Sequence, residues 1–295
     1  MNIQSFSIVV PNIGCLNLCP FCVSRMHYNR YENKMDMSHP HYDINIKEYM
    51  KRMRYVADQG CRTLILTGTS EPQQNKAFLN QFALMHQLIG SPFTNIEMQT
   101  TGIMLDGDRD YVRFLRNFVG VNTIALSLNA LDEDKNCELR GGGAKRFVAV
   151  KKLCDLLKEY DFNIRICLNL SNAYDEAFKS IDAYAATFSW LKNSLHADQV
   201  TLRMLYTSGN GTEQDSWIED HRFYNESYLR CFLNTSKIVG HTIYGTAIRY
   251  INGMSVIYDQ DCMAKKVHDD AVKYLILQPD CKLYSQWDDP ASLVF

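Results

Sequence analysis

The sequence predicts an α/β protein with a partial (β/α)6 TIM-like barrel and a C-terminal α+β extension. Apolar, β-branched runs alternate with helical patterns over the first 205 residues, which is typical of βα units and a parallel sheet. Several of these runs also alternate polar with apolar residues, whereas strands buried on both faces of a parallel sheet read as continuous apolar runs. One face of the sheet is therefore expected to be polar and wet.

Six βα units are predicted in order. The strands are expected at residues 6–10, 62–67, 95–101, 121–128, 163–170 and 198–205. The helices are expected at residues 44–59, 74–89, 108–118, 145–160 and 175–193. Short breaks with stop signals, such as Gly90-Ser91-Pro92, separate them, and no linker or clear repeat interrupts the series. Residues 1–205 are thus predicted to form the barrel core.

Residues 206–295 follow a different pattern and are predicted to be an extension that caps the open side of the barrel. A helix is expected at about 216–235, followed by β-like runs at 241–249 and 272–284. The second run contains Pro279-Asp280-Cys281-Lys282, which is predicted to be a hairpin turn.

Strand 163–170 shows the polar and apolar alternation most clearly. Its apolar side consists of Ile164, Ile166, Leu168 and Leu170. Its polar side consists of Asn163, Arg165, Cys167 and Asn169. Because a closed eight-stranded barrel packs its lumen with branched apolar side chains, the polar side favours six strands curved around a polar cavity. The alternative is an antiparallel sheet with one solvated face, which the interleaved helices disfavour.

Composition limits the classes of protein to consider. The chain has 295 residues with ordinary apolar and charged fractions, as in soluble globular proteins. The formal net charge of -2 and the even scatter of charged residues argue against an extended nucleic-acid surface. No apolar stretch approaches the roughly 20 residues that span a bilayer, and residues 1–10 do not resemble a secretory signal. A cytoplasmic location is expected.

Ten cysteines without an export signal suit a reducing compartment. Cys61 and Cys154 lie in apolar patterns and are expected to pack in the core. Cys231, Cys262 and Cys281 are candidate ligands of an auxiliary cluster, but they lack the close spacing that usually arranges such ligands in advance. The segment His39-Pro40-His41 is expected to be an exposed loop rather than a metal site.

Three other cysteines are spaced for metal binding: Cys15, Cys19 and Cys22 form a C-x3-C-x2-C motif. Thiolates at this spacing on a short loop can bind one face of a four-iron cluster and leave one iron open. A structural zinc site is the competing interpretation, with His27 as the nearest candidate for a fourth ligand. A disulfide with one free thiol is the third interpretation, which a reducing compartment disfavours.

With Phe21 just before the last cysteine, the motif resembles the one that defines the radical S-adenosylmethionine (radical SAM) superfamily. Three further segments resemble motifs of that superfamily and follow in the same order within residues 5–205. They are Thr67-Gly68-Thr69-Ser70-Glu71-Pro72, Gln99-Thr100-Thr101-Gly102, and Ser127-Leu128-Asn129 with Arg140-Gly141-Gly142. One glycine of the usual Gly-Gly-Glu-Pro turn is replaced, and the Asn of the usual Thr-Thr-Asn-Gly is missing.

The resemblance implies a [4Fe-4S] cluster on the three cysteines and S-adenosyl-L-methionine as cofactor. The backbone carbonyls of Gly68, Thr69 and Ser70, with help from Glu71, are expected to accept hydrogen bonds from the ammonium group of the cofactor. Glu71 has an alternative role as a helix cap. The remaining cofactor-binding candidates are Phe21, Thr101, Ser127, Asn129, Asn169 and Arg203. The family's Asn aligns with either Asn169 or Cys167.

The implied activity is reductive cleavage of S-adenosylmethionine to a 5′-deoxyadenosyl radical, which takes hydrogen from a small metabolite, nucleotide or cofactor precursor. An electron donor such as flavodoxin or ferredoxin is also implied. Candidate acids or bases at strand ends are Arg203, Tyr206, Glu97 and Arg249. The alternatives are a glycyl-radical activating or peptide-modifying radical SAM enzyme and, in another class, a non-catalytic zinc-binding assembly module.

Overall fold

The computed structural model describes residues 2–12, 14–27, 44–243, 245–260, 271–287 and 289–295. The strands are β1 (Asn2–Val9), β2 (Thr63–Thr67), β3 (Asn95–Thr100), β4 (Thr123–Leu128), β5 (Asn163–Leu170), β6 (Gln199–Met204), β7 (Lys237–His241), β8 (Ala247–Ile251), β9 (Met254–Asp259), β10 (Ala271–Leu277) and β11 (Leu283–Tyr284). The helices are α1 (Val23–Met26), α2 (Ile46–Asp58), α3 (Lys76–Leu88), α4 (Arg109–Phe114), α5 (Glu133–Glu138), α6 (Val150–Glu159), α7 (Ile181–Asn193), α8 (Glu213–Asp220) and α9 (Glu226–Thr235).

All these strands belong to one sheet, in the order β11-β10-β1-β2-β3-β4-β5-β6-β9-β8-β7. Strands β1 to β6 are neighbours in sequence order and run parallel, as the βα pattern predicts. The predicted α/β barrel-like class is confirmed. The antiparallel alternative is wrong for these six strands.

Two strands from the C-terminal segment lengthen the parallel part of the sheet. Strand β10 pairs in parallel with β1, and β9 pairs in parallel with β6. The ammonium nitrogen of Lys273 on β10 lies 3.9 Å from a carboxylate oxygen of Asp259 on β9. The two outer parallel strands therefore approach each other, and the sheet curves into a barrel-like shape. The division of the chain at residue 205 stays a prediction.

Strand β9 was missed in the sequence, although a signal for it is present. A two-residue turn, Asn252-Gly253, joins β8 to β9, and both turn residues have positive φ angles of 48° and 79°. Asn-Gly is the pair that favours such hairpin turns. The predicted β-like run at 241–249 is wrong in its bounds, because it spans the turn between β7 and β8.

The run at 272–284 forms the predicted hairpin, with β10 antiparallel to β11. Its turn places Cys281 at φ 63°, a left-handed conformation that usually favours glycine.

Four predicted helices differ from the observed ones. The helix expected at 108–118 is α4 followed by a π-helix at Leu115–Val119. The helix expected at 216–235 is two helices, because Asp175 holds the segment between them by accepting hydrogen bonds from the backbone of Tyr224 and the side chain of Asn225 at 3.0 and 2.9 Å. Helix α7 begins late because Ser180 caps its first turn. Helix α6 begins only at Val150, after a 3-10 turn at Ala144–Arg146.

The hydrophobic core lies between the sheet and the surrounding helices. The outward side of β5 is buried at Ile164, Ile166, Leu168 and Leu170, as the alternation predicts. Cys61 and Cys154 are buried in this core, which confirms their predicted packing role. Cys231 is exposed and Cys281 is half-buried, while Cys262 and the segment 39–41 lie outside the described residues.

The other face of the sheet is polar, but it is not wet along its whole length. Glu97 is only 1% exposed and forms an ion pair of 2.7 Å with Arg165, whose Nε donates to Gln199 at 2.8 Å. The hydroxyl of Thr67 donates to Gln99 at 3.1 Å in the same layer. These side chains satisfy one another across strands β2 to β6, so the polar face is ordered and partly buried.

None of the helices in the described part of the chain is both long enough and apolar enough to cross a lipid bilayer.

Candidate functional site

The three cysteines of the C-x3-C-x2-C motif line one cavity, here called the cysteine cavity, of about 180 Å³. The cavity lies at the carboxyl ends of β2, β3 and β4, where parallel αβ folds place their active sites. Its wall consists of Cys15, Asn17, Cys19, Cys22, Ser24, Thr67, Gly68, Thr69, Ser70, Glu71, Pro72, Gln99, Thr100, Thr101 and Ser127. Four motifs that are far apart in the sequence thus meet in one place.

The cysteine loop, residues 14–22, is anchored on one side by the segment that follows β2. The side chain of Gln74 accepts a hydrogen bond of 2.9 Å from the backbone N–H of Leu16. Just before the loop, the side-chain amide of Asn12 donates to the backbone carbonyl of Glu71 at 2.9 Å. The loop is therefore attached to the neighbouring βα turn through residues other than its cysteines, which leaves the three thiols free to bind a metal centre.

The Arg-Gly-Gly segment after α5 holds the opposite side of the cysteine loop. The carbonyl of Arg140 accepts a 2.8 Å hydrogen bond from the N–H of Leu18, and Nε of Arg146 donates to the carbonyl of Leu16 at 2.7 Å. Gly141 packs directly on the loop, because a Cβ at this position would lie 2.7 Å from the Cβ of Leu18. Its φ of 101° also suits glycine. This motif thus positions the loop between Cys15 and Cys19.

Burial makes the thiols of Cys15 and Cys19 reluctant to ionise without a bound cation. The pKa of Cys19 is raised to about 12, first by burial and then by the neighbouring Cys22 and Cys15. Burial is also the main cause of the raised pKa of Cys15, although the N–H of Asn17 donates to this sulfur at 3.4 Å. Metal ions stabilise thiolates in such places. The charge chemistry of the loop therefore fits a metal centre.

The arrangement fits a cluster better than a single zinc ion. In the described residues, no three or more His, Cys, Asp or Glu side chains converge on a point where they could share one ion. A cluster instead binds each thiolate to a different iron, so its ligands line a cavity rather than meet at a point. His27 is buried against Tyr206 and does not line the cavity, and the three cysteines are free thiols.

Glu71 connects three of the motifs. Its carboxylate accepts hydrogen bonds from the backbone N–H and hydroxyl of Thr101 at 3.1 and 2.6 Å, and from the hydroxyl of Thr100. The side-chain amide of Asn17 donates to it at 3.3 Å. Glu71 makes no helix-capping side-chain bond, and Asn75 caps α3 instead, so the capping alternative is wrong. This buried carboxylate fixes the cavity wall.

The turn at residues 68–70 forms the cavity wall beside the cysteines. A Cβ on Gly68 would lie 3.1 Å from the carbonyl oxygen of Val10, so the close approach of this turn to the end of β1 favours glycine. The hydroxyl of Ser70 and the side-chain oxygen of Asn17 are buried and have no hydrogen-bond partner in the described residues. Unpartnered buried polar atoms beside a cavity fit a polar ligand.

Thr101 and Ser127 also line the cavity, whereas four other predicted cofactor-binding residues do not. Asn169 donates to the side-chain oxygen of Asn129 at 3.0 Å. Nε of Arg203 lies 3.8 Å from a carboxylate oxygen of Asp259. These contacts lie at the carboxyl ends of β4, β5, β6 and β9, outside the wall of the cysteine cavity.

Phe21 packs away from the cavity, with its ring centroid 5.3 Å from that of Trp217 on α8. Of the acid or base candidates, Glu97 is paired with Arg165, and Arg249 donates to the carbonyl of Leu233 at 2.8 Å.

Six cavity residues had no assigned role in the sequence: Asn17, Ser24, Thr67, Pro72, Gln99 and Thr100. Asn17 lies between two of the cysteines, and Thr67, Gln99 and Thr100 lie at the ends of strands within the motif segments. For all of these residues except Ser24, position within a motif segment was the available signal. Their contacts depend on which strands lie side by side.

The Radical SAM superfamily model matches residues 9–182, more than half of the chain. The chain therefore belongs to the radical SAM superfamily and is a radical SAM enzyme. Enzymes of this superfamily use a [4Fe-4S] cluster and S-adenosylmethionine, and these are the cofactors of this chain. They act on a substrate and need a reductant. No curated protein matches the chain.

Solved structures show the same fold at low sequence identity. Native anSMEcpe with bound AdoMet superposes with a TM-score of 0.52 at 13% identity, over 96% of this chain and 74% of that one. The FeFe-hydrogenase maturase HydG from Carboxydothermus hydrogenoformans gives a TM-score of 0.50 at 14% identity, over 79% of this chain and 52% of that one. This chain thus spans about half of HydG and three quarters of anSMEcpe. At these identities the likeness concerns the fold alone.

Proposed function

We propose that this enzyme cleaves S-adenosylmethionine reductively at a [4Fe-4S] cluster held by Cys15, Cys19 and Cys22. The observation that carries the proposal is that these cysteines share one cavity with the turn at 68–70 and with polar strand-end residues. Three thiolates leave one iron of the cluster open, and the polar wall offers groups that suit the amino acid part of the cofactor.

In this proposal different residues of the cavity bind different groups of S-adenosylmethionine. The backbone carbonyls of Gly68 to Ser70 accept hydrogen bonds from the ammonium group. The hydroxyls of Thr101 and Ser127 donate to the carboxylate or the ribose. Glu71 acts indirectly, because its carboxylate is engaged by Thr100, Thr101 and Asn17 and so keeps the wall in place. Asn129, Asn169 and Arg203 lie outside the cavity wall. In this proposal they contact the parts of S-adenosylmethionine or of the substrate that extend beyond the cavity.

When bound, the cluster and cofactor supply a 5′-deoxyadenosyl radical that takes hydrogen from the substrate. The protein orients the two groups and keeps water away from them. An electron donor such as flavodoxin or ferredoxin reduces the cluster.

A small, polar metabolite, nucleotide or cofactor precursor is the proposed substrate. The inner face of the sheet supports this proposal, because it presents hydrogen-bonding side chains rather than an apolar surface. Gln99 links the two regions, since it lines the cysteine cavity and donates to Glu97 of the inner network at 3.5 Å. A polar substrate bound next to the cofactor would form hydrogen bonds with the side chains of this inner network.

Anaerobic reconstitution followed by a product assay tests the proposal. The purified chain, loaded with iron and sulfide, is expected to hold about four iron atoms. After reduction with dithionite and addition of S-adenosylmethionine, it should release 5′-deoxyadenosine, measured by liquid chromatography and mass spectrometry. Stoichiometric zinc with no 5′-deoxyadenosine would instead support the non-catalytic assembly module. Deuterium transfer from labelled small molecules or labelled peptides into 5′-deoxyadenosine would then separate the substrate classes.

A further inference from the structure

Arg140, the first residue of the Arg-Gly-Gly motif, is fully buried at 0% exposure. Its Nη2 donates to the carbonyl oxygen of Ser127 at 3.3 Å. Its Nε and Nη1 are buried without a hydrogen-bond partner in the described residues. A buried cation is costly unless an anion and good hydrogen bonds compensate it, and buried donors are nearly always paired. The two open donors therefore indicate a bound group that carries negative charge and accepts their hydrogen bonds.

The surroundings of Arg140 place that charge on the side of the cysteine loop. Its carbonyl holds the N–H of Leu18, the residue before Cys19, and the carbonyl that its guanidinium contacts belongs to Ser127, which lines the cysteine cavity. Burial lowers the pKa of Arg140, and Cys19 and then Glu71 are the first acidic groups that oppose this lowering. The carboxylate of Glu71 already accepts hydrogen bonds from Thr100 and Thr101. The open donors of Arg140 are therefore left to Cys19 and the group that Cys19 binds.

We propose that Arg140 is the fixed positive charge of the metal centre and that it raises the reduction potential of the cluster bound to Cys19. This inference rests on the proposed function. A four-iron cluster with three thiolates is net negative, and it becomes more negative when it accepts an electron. A nearby buried cation stabilises the reduced form more than the oxidised form, because attraction grows with charge and is weakly screened in the interior.

The carboxylate of S-adenosylmethionine is another anion that can reach the same site. The two sources of negative charge differ in one respect that an experiment can use. The charge of the cluster is present without the cofactor, so an effect of Arg140 on the cluster must appear in the absence of S-adenosylmethionine.

The test compares midpoint potentials of reconstituted protein without S-adenosylmethionine, from redox titrations followed by electron paramagnetic resonance. In Arg140→Gln, the equilibrium constant for one-electron reduction should fall at least about tenfold, a shift of about 59 mV to more negative potential. Arg140→Lys keeps the charge and should stay closer to the unsubstituted protein. Arg146→Gln is the matched control, because Arg146 also holds the cysteine loop but is half exposed, so its charge is screened and its removal should shift the potential little.

An unchanged potential in Arg140→Gln would overturn the inference, as would equal shifts in Arg140→Gln and Arg146→Gln. A weakened affinity for S-adenosylmethionine with an unchanged cofactor-free potential would also overturn it and assign Arg140 to the cofactor carboxylate.

Arg140→Met serves as a second uncharged variant if Arg140→Gln holds no iron. Iron retained by Arg140→Lys but lost from both uncharged variants would support a need for the positive charge. Loss in all three variants would mean that the guanidinium is needed for its shape, against the inference. Iron content and 5′-deoxyadenosine release of the unsubstituted protein, measured in parallel, show separately whether the proposed function itself holds.

Discussion

Cys19→Ala is expected to lose its cluster and all 5′-deoxyadenosine formation. Cys19 is the middle cysteine of the motif, and its thiol interacts electrostatically with Cys22, Cys15 and Arg140. Two thiolates do not hold a four-iron cluster in place of three, and among the described residues no fourth cysteine lines the cavity. Iron and sulfide analysis, visible absorption and the 5′-deoxyadenosine assay measure the loss together.

The matched control is Cys231→Ala, which removes a thiol that is exposed on α9. It should keep the iron content and the activity of the unsubstituted protein. Thermal unfolding of both variants shows whether the fold survives the substitution. Cluster content in Cys19→Ala equal to that of the control would refute the assignment of Cys19 as a ligand.

Gly141→Ala is expected to disturb the metal centre from a residue that touches no ligand. The new Cβ would lie 2.7 Å from the Cβ of Leu18, closer than such atoms approach, and the φ of 101° is unfavourable for alanine. Pushing Leu18 away moves the loop that carries Cys15 and Cys19. We expect a loss of about 1–3 kcal/mol in stability, from denaturant unfolding, and a clear fall in iron content.

Gly142→Ala separates the steric contact from the backbone effect. Gly142 also has a positive φ, 67°, but a Cβ there meets no atom within 4 Å. Its substitution should cost about 1 kcal/mol and leave the iron content nearly unchanged. Adding Leu18→Gly to Gly141→Ala removes the clashing side chain and should restore part of the iron content. Equal iron loss in the two single alanine variants would contradict the steric explanation.

Much of the fold could be predicted because the local pattern and the final structure agree. Strand β5 was predicted with its observed bounds, 163–170, since its alternation matches a sheet with a packed outer face and a polar inner face. The places of β9 and β10 could not be predicted. Both pair with strands far away in the sequence, at the two ends of the series β1 to β6.

The same limit applies to the site. The motifs predicted that Cys15, Glu71 and Ser127 lie at one end of the sheet, because the ends of parallel strands share an edge. The sequence did not reveal that the carboxylate of Glu71 accepts hydrogen bonds from Thr101 or that Arg140 is fully buried. Both facts depend on side-chain packing between segments far apart in the sequence. The sequence therefore predicted which residues belong to the site. It did not predict which of them face the cavity and which hold the cavity wall in place.

The central claim is that one iron of the cluster is open and binds S-adenosylmethionine in the cysteine cavity. Electron–nuclear double resonance on the reduced, reconstituted enzyme tests it directly, with S-adenosylmethionine that carries nitrogen-15 in its amino group. The proposal predicts a magnetic coupling between the labelled nitrogen and the cluster that is absent with unlabelled cofactor. A reduced cluster whose spectrum is the same with labelled, unlabelled and no S-adenosylmethionine would contradict it.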